Sequence, residues 1–206
     1  MHPLVISKIT KNTPNAVLIS FEVSEKDKET FKFEAGQYLT IETKINEKSV
    51  RRSYSICCNE NGGLQVGIKE VPEGVFSTYA NRSLKESDRL MVTPPEGRFT
   101  FTPSQKPQTL AAFAAGSGIT PIMSILKTAL LDHKENRFHL IYGNKTPEET
   151  MFYEELKTLE AEFGDRLTIQ WAFSRANIEG SFFGRIEKSV VKNAIKSMEK
   201  PAEKLY

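Results

Sequence analysis

Leu110-Ala111-Ala112-Phe113-Ala114-Ala115-Gly116-Ser117-Gly118-Ile119-Thr120-Pro121 decides how the chain is read. Six unbroken apolar residues suit a strand buried on both faces of a parallel sheet. Gly116 and Gly118 permit a tight turn, and Pro121 suits the first turn of a helix. The third glycine of the usual dinucleotide fingerprint is missing, so the segment reads equally well as a pyrophosphate loop or as a plain strand-to-helix turn. The rhythm continues downstream. Helices are predicted over 120–131, 148–163 and 186–198, and strands over 138–142 and 167–173. Lys188, Lys192 and Lys196 recur beside Val190, Val191, Ala194 and Ile195, the wet face of an amphipathic helix. Alternating strands and helices imply a doubly wound parallel α/β domain over 107–206.

Upstream of a polar, proline-flanked seam at 102–107 the rhythm changes. Short apolar stretches at 4–6, 16–21, 38–41, 52–56 and 90–92 alternate with turn signals such as Asn61-Gly62-Gly63, Pro72-Glu73-Gly74 and Pro94-Pro95-Glu96-Gly97. Leu64, Val66 and Ile68 alternate with Gln65, Gly67 and Lys69, the period of a half-buried strand. Residues 1–102 therefore read as an antiparallel Greek-key β-barrel, interrupted by one short helix near 77–84.

Composition excludes several classes. Of the 206 residues, 39% are hydrophobic and 26% charged, enough for an ordinary core without disulfide staples. The net charge of +2 lacks the basic stripe of a nucleic-acid binder, and no run reaches transmembrane length. The N-terminus lacks a signal-peptide layout. The only cysteines, Cys57 and Cys58, are adjacent and thus give no disulfide framework, which suggests a reducing, cytoplasmic setting. The three histidines lie near no cysteine cluster, and no metal site is expected. His139, beside Leu140 on a covered strand, reads as a core histidine.

Four segments could carry chemistry, and each has a plainer reading. In Arg51-Arg52-Ser53-Tyr54-Ser55, Arg52 and Tyr54 share one strand face, which could hold a phosphate at one end and a flat ring at the other; the plainer reading is an edge strand with a solvated arginine. Gly74-Val75-Phe76-Ser77 opens a helix whose free amides suit phosphate, or Ser77 is simply its cap. The turn Gly116-Ser117-Gly118-Ile119-Thr120 is the third segment. Ser174-Arg175, just past a strand end, could clamp the 2′-phosphate of NADPH, or Arg175 is a surface arginine.

In their order, these residues resemble the ferredoxin–NADP reductase superfamily, over nearly the whole chain. Arg52-Ser53-Tyr54-Ser55 resembles its Arg-x-Tyr-Ser flavin motif, Gly74-Val75-Phe76-Ser77 its second flavin segment, and Pro95-Glu96-Gly97-Arg98-Phe99 the segment that closes the barrel. Gly36-Gln37-Tyr38, the 115–121 loop, Tyr142-Gly143-Asn144, Phe152-Tyr153-Glu154-Glu155-Leu156, Ser174-Arg175 and Gly184-Arg185-Ile186 continue the pattern. The resemblance is closest to reductase components of bacterial oxygenases, the phenylacetate-CoA type among them. It implies an FAD domain over 1–102 and an NAD(P) domain over 107–206. Arg52 would pair with the flavin pyrophosphate, Tyr54 would stack on the isoalloxazine, and Ser55 would hydrogen-bond near N5. Ser53, Ile68 and Lys69 would line the same cofactor, and Gly74, Val75, Phe76 and Ser77 would hold its pyrophosphate. Gly116, Ser117, Gly118, Ile119 and Thr120 would support NADPH, with NADH the alternative, and Thr120 would sit between the two rings. Ser174 and Arg175 would take the 2′-phosphate. Tyr54, Ser55 and Thr120 would thus form the catalytic set.

The implied function is electron transfer from NADPH through FAD to an iron–sulfur acceptor, as the reductase component of an oxygenase. Two readings stand beside it: a non-catalytic flavin-binding relay subunit, and a cofactor-free binding module. A 2Fe–2S cluster belongs here only if a further domain follows. The family's nucleotide domain normally continues into a strand ending Cys-Gly-Pro, and Glu203-Lys204-Leu205-Tyr206 falls about where that strand begins. The sequence therefore reads as lacking a central strand beside the first strand of its α/β half, which a dimer or a strand swap would cover. The expected outcome is a chain that binds FAD but turns over NADPH poorly. Ferricyanide reduction under steady-state conditions checks this, and a rate typical of an intact family member would overturn it.

Overall fold

The first hundred residues fold into one six-stranded antiparallel sheet. The computed structural model describes residues 1–198 and 201–206. Strands β1 (His2–Thr13), β2 (Ala16–Glu22), β3 (Tyr38–Ile45), β4 (Lys48–Ser55) and β5 (Leu64–Lys69) precede helix α1 (Val75–Arg82) and strand β6 (Arg89–Val92). Their order in the sheet is β4-β3-β6-β1-β2-β5, so chain neighbours are not always spatial neighbours, as in a Greek key. Just past β4, Ile56 bridges Val66 and the Cys57 amide donates to the Gln65 carbonyl at 2.9 Å. The two edges thereby meet and the sheet closes. Ile6, Ile19, Leu39, Ile41, Ile56, Val66, Ile68 and Val92 fill the interior, with Phe76 and Ala80 of α1 packed among them. The Glu96 carbonyl and amide pair with Tyr38 at 2.9 Å each, fastening the segment that follows β6 onto β3.

The second half alternates β7 (Thr109–Ala115), α2 (Ile119–Asp132), β8 (Arg137–Asn144), α3 (Tyr153–Phe163), β9 (Leu167–Phe173), β10 (Phe182–Phe183), α4 (Lys188–Ser197) and β11 (Lys204–Leu205). All pairings in this sheet are parallel, in the order β10-β9-β8-β7-β11. Leu110, Ala112, Leu140 and Tyr142 face Ile122, Met123 and Leu126 of α2 and Leu156 of α3 in one core. His139, Ile141 and Gln170 alternate with these residues and line a cavity with Ala194 of α4. Helix α4 therefore covers the opposite face, and the sheet is doubly wound. Among the described residues no helix is long and apolar enough to cross a membrane.

Three expectations need correction. Helix α1 begins at Val75 rather than 77, because Gly74 is its cap; the Ser77 hydroxyl, already inside the first turn, donates back to the Gly74 carbonyl at 3.2 Å. Helix α3 begins at Tyr153 rather than 148. Residues 146–152 form a turn held by the Thr150 hydroxyl donating to the Thr146 carbonyl at 2.7 Å, and the left-handed Phe152 (φ 61°) cannot continue a right-handed helix. The position beside β7 is not bare: the Glu203 amide donates to Thr109, the Tyr206 amide to Ala111, and the Phe113 amide to Tyr206, at 2.8–3.0 Å.

The two halves share a core. Ala16, Leu18, Ala35, Cys57 and Phe101 from the barrel half are buried among the residues of the parallel-sheet half. Cys57 and Cys58 point into different cores, and both are free thiols. Burial pushes the Cys57 thiol well above the ordinary range. Gly36 sits on this seam with φ 105°; a Cβ there would lie 2.1 Å from the Phe99 carbonyl oxygen and 3.1 Å from Ile125 Cδ1. Gly36→Ala is expected to destabilise the chain by about 3 kcal/mol or more, read as a shifted urea midpoint at unchanged slope.

Candidate functional site

Two cavities open where the barrel meets the parallel sheet, and Lys69 lines both. The first, of about 300 Å³, is walled by Arg52, Ser53, Tyr54 and Ser55 of β4, Gly67 and Lys69 of β5, and Gly74 to Ser77 at the start of α1. Ser117 and Thr120 close it from the other half. The pairing of β3 with β4, Leu39 opposite Tyr54 and Ile41 opposite Arg52, sets the register that presents these side chains. Arg52 is exposed at the rim, and its guanidinium donates to the Arg51 carbonyl at 2.7 Å. Tyr54 is half-buried and packs on Phe76, ring centroids 5.5 Å apart. Burial pushes its phenol up to about 12 against the opposing pull of Arg52, further from ionisation than an ordinary tyrosine. The first helical bond of α1 runs from the Thr78 amide to the Gly74 carbonyl. The amides of Val75, Phe76 and Ser77 precede it and face the cavity end of the helix.

The second cavity, of about 410 Å³, lies at the carboxyl ends of β7, β8 and β9. Its lining includes Gly116, Asn144, Lys145, Ser174 and Arg185. Gly116 has φ 53°, and its carbonyl accepts the buried Tyr142 hydroxyl at 2.9 Å. A Cβ on Gly143 would come within 3.1 Å of Ile186, so that glycine allows the 184–186 segment to close over the sheet. Lys69, Lys145 and Arg185 make the cavity cationic. The Lys69 ammonium donates to the Glu149 carbonyl at 2.9 Å, while the Glu149 carboxylate lies 3.6 Å from Lys145. Burial lowers the Lys69 pKa, with Glu149 raising it and Lys145 lowering it further.

The expected residues divide by location. Arg52, Ser53, Tyr54, Ser55, Lys69, Gly74, Val75, Phe76, Ser77, Ser117 and Thr120 converge on the first cavity, and Gly116 and Ser174 line the second. Ile68 points into the barrel core and Ile119 into the parallel-sheet core. Gly118 caps α2, and its Cβ position meets no atom within 4 Å. Arg175 is exposed, its amide donating to the Lys145 carbonyl at 2.9 Å. Lys145 and Arg185 were not among the expected binding residues. Arg185 lies in a motif that could have flagged it, whereas nothing local marks Lys145. Among the described residues no group of three or more His, Cys, Asp or Glu is placed to hold a metal.

The donor set fits a flavin dinucleotide: an exposed guanidinium and a helix start suit a pyrophosphate, and a half-buried uncharged ring suits a flat one. Residues 3–101 match the family model of the oxidoreductase FAD-binding domain, and residues 113–206 that of the oxidoreductase NAD-binding domain. The 1,2-phenylacetyl-CoA epoxidase of Escherichia coli K12 has a component that is 35% identical over 189 residues, spanning 90% of this chain and 53% of that protein. The ferredoxin reductase component of the 3-ketosteroid-9-alpha-monooxygenase of Rhodococcus rhodochrous is 31% identical, over 81% of this chain and 47% of its own length. This chain thus spans about half the length of these relatives. Among solved structures, the cytochrome b5 reductase domain of Ulva prolifera nitrate reductase superposes with a TM-score of 0.81 at 20% identity, covering 99% of this chain and 86% of that one. A ferredoxin NADP+ reductase from Neisseria gonorrhoeae with bound FAD and NADP gives 0.78 at 20% identity, covering 99% and 82%. With both halves matched in order, the chain belongs to the FAD- and NAD-binding oxidoreductases of the ferredoxin–NADP reductase family.

Proposed function

We propose that this chain is the flavin- and nicotinamide-binding core of an oxygenase reductase, taking electrons from NADPH and passing them to an iron–sulfur acceptor. The observation that carries the reading is the adjacency of the two cavities: Lys69 lines both, and Ser117 and Thr120 of the nucleotide half reach the cavity framed by Tyr54. The chemistry that bound FAD and nicotinamide supply is hydride transfer followed by single-electron release. The protein's share is orientation. In this reading Tyr54 supports the flavin ring, Ser55 hydrogen-bonds near its reactive edge, and Arg52 and the amides after Gly74 hold the pyrophosphate. Thr120 spaces the two rings. Lys145, Arg185 and Ser174 of that cavity, with Arg175 beside Ser174 in the chain, would take the 2′-phosphate, and this concentration of cations favours NADPH over NADH. The iron–sulfur acceptor is inferred from the relative that is the ferredoxin reductase component of a monooxygenase, and the free thiols accord with a reducing, cytoplasmic setting.

FAD titration followed by anaerobic nucleotide addition tests the reading. The expected result is a yellow holoprotein whose flavin bleaches with NADPH more readily than with NADH. Arg52→Ala weakens FAD binding by about tenfold or more, and Lys145→Ala with Arg185→Ala erases the preference for NADPH. A protein that stays colourless and takes up no FAD overturns it. Flavin uptake without bleaching by either nucleotide favours the relay-subunit reading.

A further inference from the structure

Strand β1 carries an irregularity at its far end: Lys11 pairs with Val17 and Thr13 with Ala16, so Asn12 is an extra residue without a partner on β2. Such a bulge re-aims a side chain. Here the half-buried Asn12 turns out of the barrel, and its Oδ1 accepts the backbone N–H of Phe152 at 3.0 Å. Phe152 is buried and left-handed (φ 61°, ψ 20°), and it immediately precedes α3. That conformation is costly for an aromatic residue and persists only where surroundings enforce it. Its amide, which precedes the first bond of α3, receives its acceptor from the other half of the molecule. The Asn12 side is itself anchored, because the Asn15 carbonyl in the adjoining turn accepts the Glu70 amide at 2.7 Å.

The loop thus gripped runs from the carboxyl end of β8, where the nucleotide cavity lies, to α3. Barrel residues hold it twice: Asn12 at Phe152, and Lys69 at the Glu149 carbonyl. From inside its own half, the Tyr142 hydroxyl donates to the carbonyls of Met151 at 3.3 Å and Gly116 at 2.9 Å, joining the loop to the glycine turn. We propose that Asn12 is a positioning residue: by pinning the amide of Phe152 it fixes the nucleotide half against the barrel, and so sets the spacing between the nicotinamide and flavin sites. This rests on the function proposed above. Rings that must approach to near contact tolerate little slack, and a misplacement of about 1 Å is enough to slow such a step by roughly a hundredfold.

Trp171, the chain's single tryptophan, provides a gauge. It lies on β9 with its ring 4.9 Å from that of Tyr153, the first residue of α3, so energy transfer from it to bound flavin reads the spacing of the two halves. In the FAD-loaded full chain, Trp171 emission is expected to decay with one dominant lifetime. Asn12→Leu, which removes the acceptor, should add a longer component and slow anaerobic flavin reduction by NADPH roughly ten- to a hundredfold, at unchanged FAD affinity. Asn12→Asp, which keeps an acceptor oxygen, should restore both. An unaltered lifetime and a reduction rate within about twofold in Asn12→Leu would overturn the proposal. Amide exchange at Phe152 in the unsubstituted protein decides the matter if Asn12→Leu does not fold: strong protection supports the pin, and exchange at the rate of an open amide removes it. A protein that takes up no FAD sinks the functional reading instead, while the Phe152 amide still reports whether the pin exists.

Discussion

A methyl group at position 67 would crowd the other half of the molecule. A Cβ on Gly67 would stand 2.9 Å from both Thr120 Cγ2 and Met151 Cε, so the β5 backbone meets these two side chains of the parallel-sheet half with no side chain of its own in the way. The adjacency of the two cavities follows from that contact. Residues 67 and 69 share one face of β5, and 66 and 68 share the other. The face that meets the second half therefore presents Gly67 and then Lys69, while Val66 and Ile68 fill the barrel. Because Gly67 lets the backbone approach, Lys69 reaches the Glu149 carbonyl, and the two cavities adjoin rather than face away from each other.

The contact is maintained by a seam that is more like a core than a domain interface. Interfaces between domains of one chain are ordinarily polar enough to allow relative motion. Here Ala16, Leu18, Ala35, Cys57 and Phe101 are nine-tenths or more buried among the residues of the other half. A polar tie crosses the same seam: the Lys127 ammonium of α2 donates to the Cys57 carbonyl at 3.5 Å, pairs with Glu155 at 2.5 Å and lies 5.9 Å from the ring centre of Phe152. With its side chain only 15% exposed, Lys127 would be costly without a partner, and the paired carboxylate offsets that cost. Hydrophobic area binds the halves without direction, while the polar contacts fix which way they bind.

The elements legible in the sequence are those whose burial pattern is local. The alternation at 64–69 and the unbroken apolar run at 110–115 each depend only on which faces are covered, and both form strands where expected. What escapes such reading is set by distant partners. Helix α3 starts later than its composition suggests: the residues from 148 onward suit a helix, yet Phe152 is left-handed and its amide is taken by an acceptor 140 positions away. Strand β11 is two residues long and has no period to read; its existence is a matter of hydrogen bonds to β7. Lys145 is an unremarkable loop cation until the parallel order brings the ends of β8 and β9 together. The expected role of Ile68 and the core position of its side chain show the same limit, since neighbours in sequence face opposite ways on a strand.

The distribution of charge across the two cavities follows from the seam as well. Arg52 is exposed at one rim, and Lys145 is 54% exposed in the other cavity, so cations sit where water can solvate them. Toward the seam the lining becomes small and uncharged: Gly67, Ser117, Thr120 and Gly116, beside the half-buried Tyr54 phenol. Lys69 is the exception, and its ammonium is taken up by a backbone carbonyl and balanced by Glu149. Charged rims draw anionic groups to the outer ends of each cavity, while the lining between them is mostly small and neutral. An unpaired lysine at the seam would hold water there. The Glu149 carbonyl that occupies the Lys69 ammonium therefore keeps that seam cation paired where burial makes an unpaired charge costly.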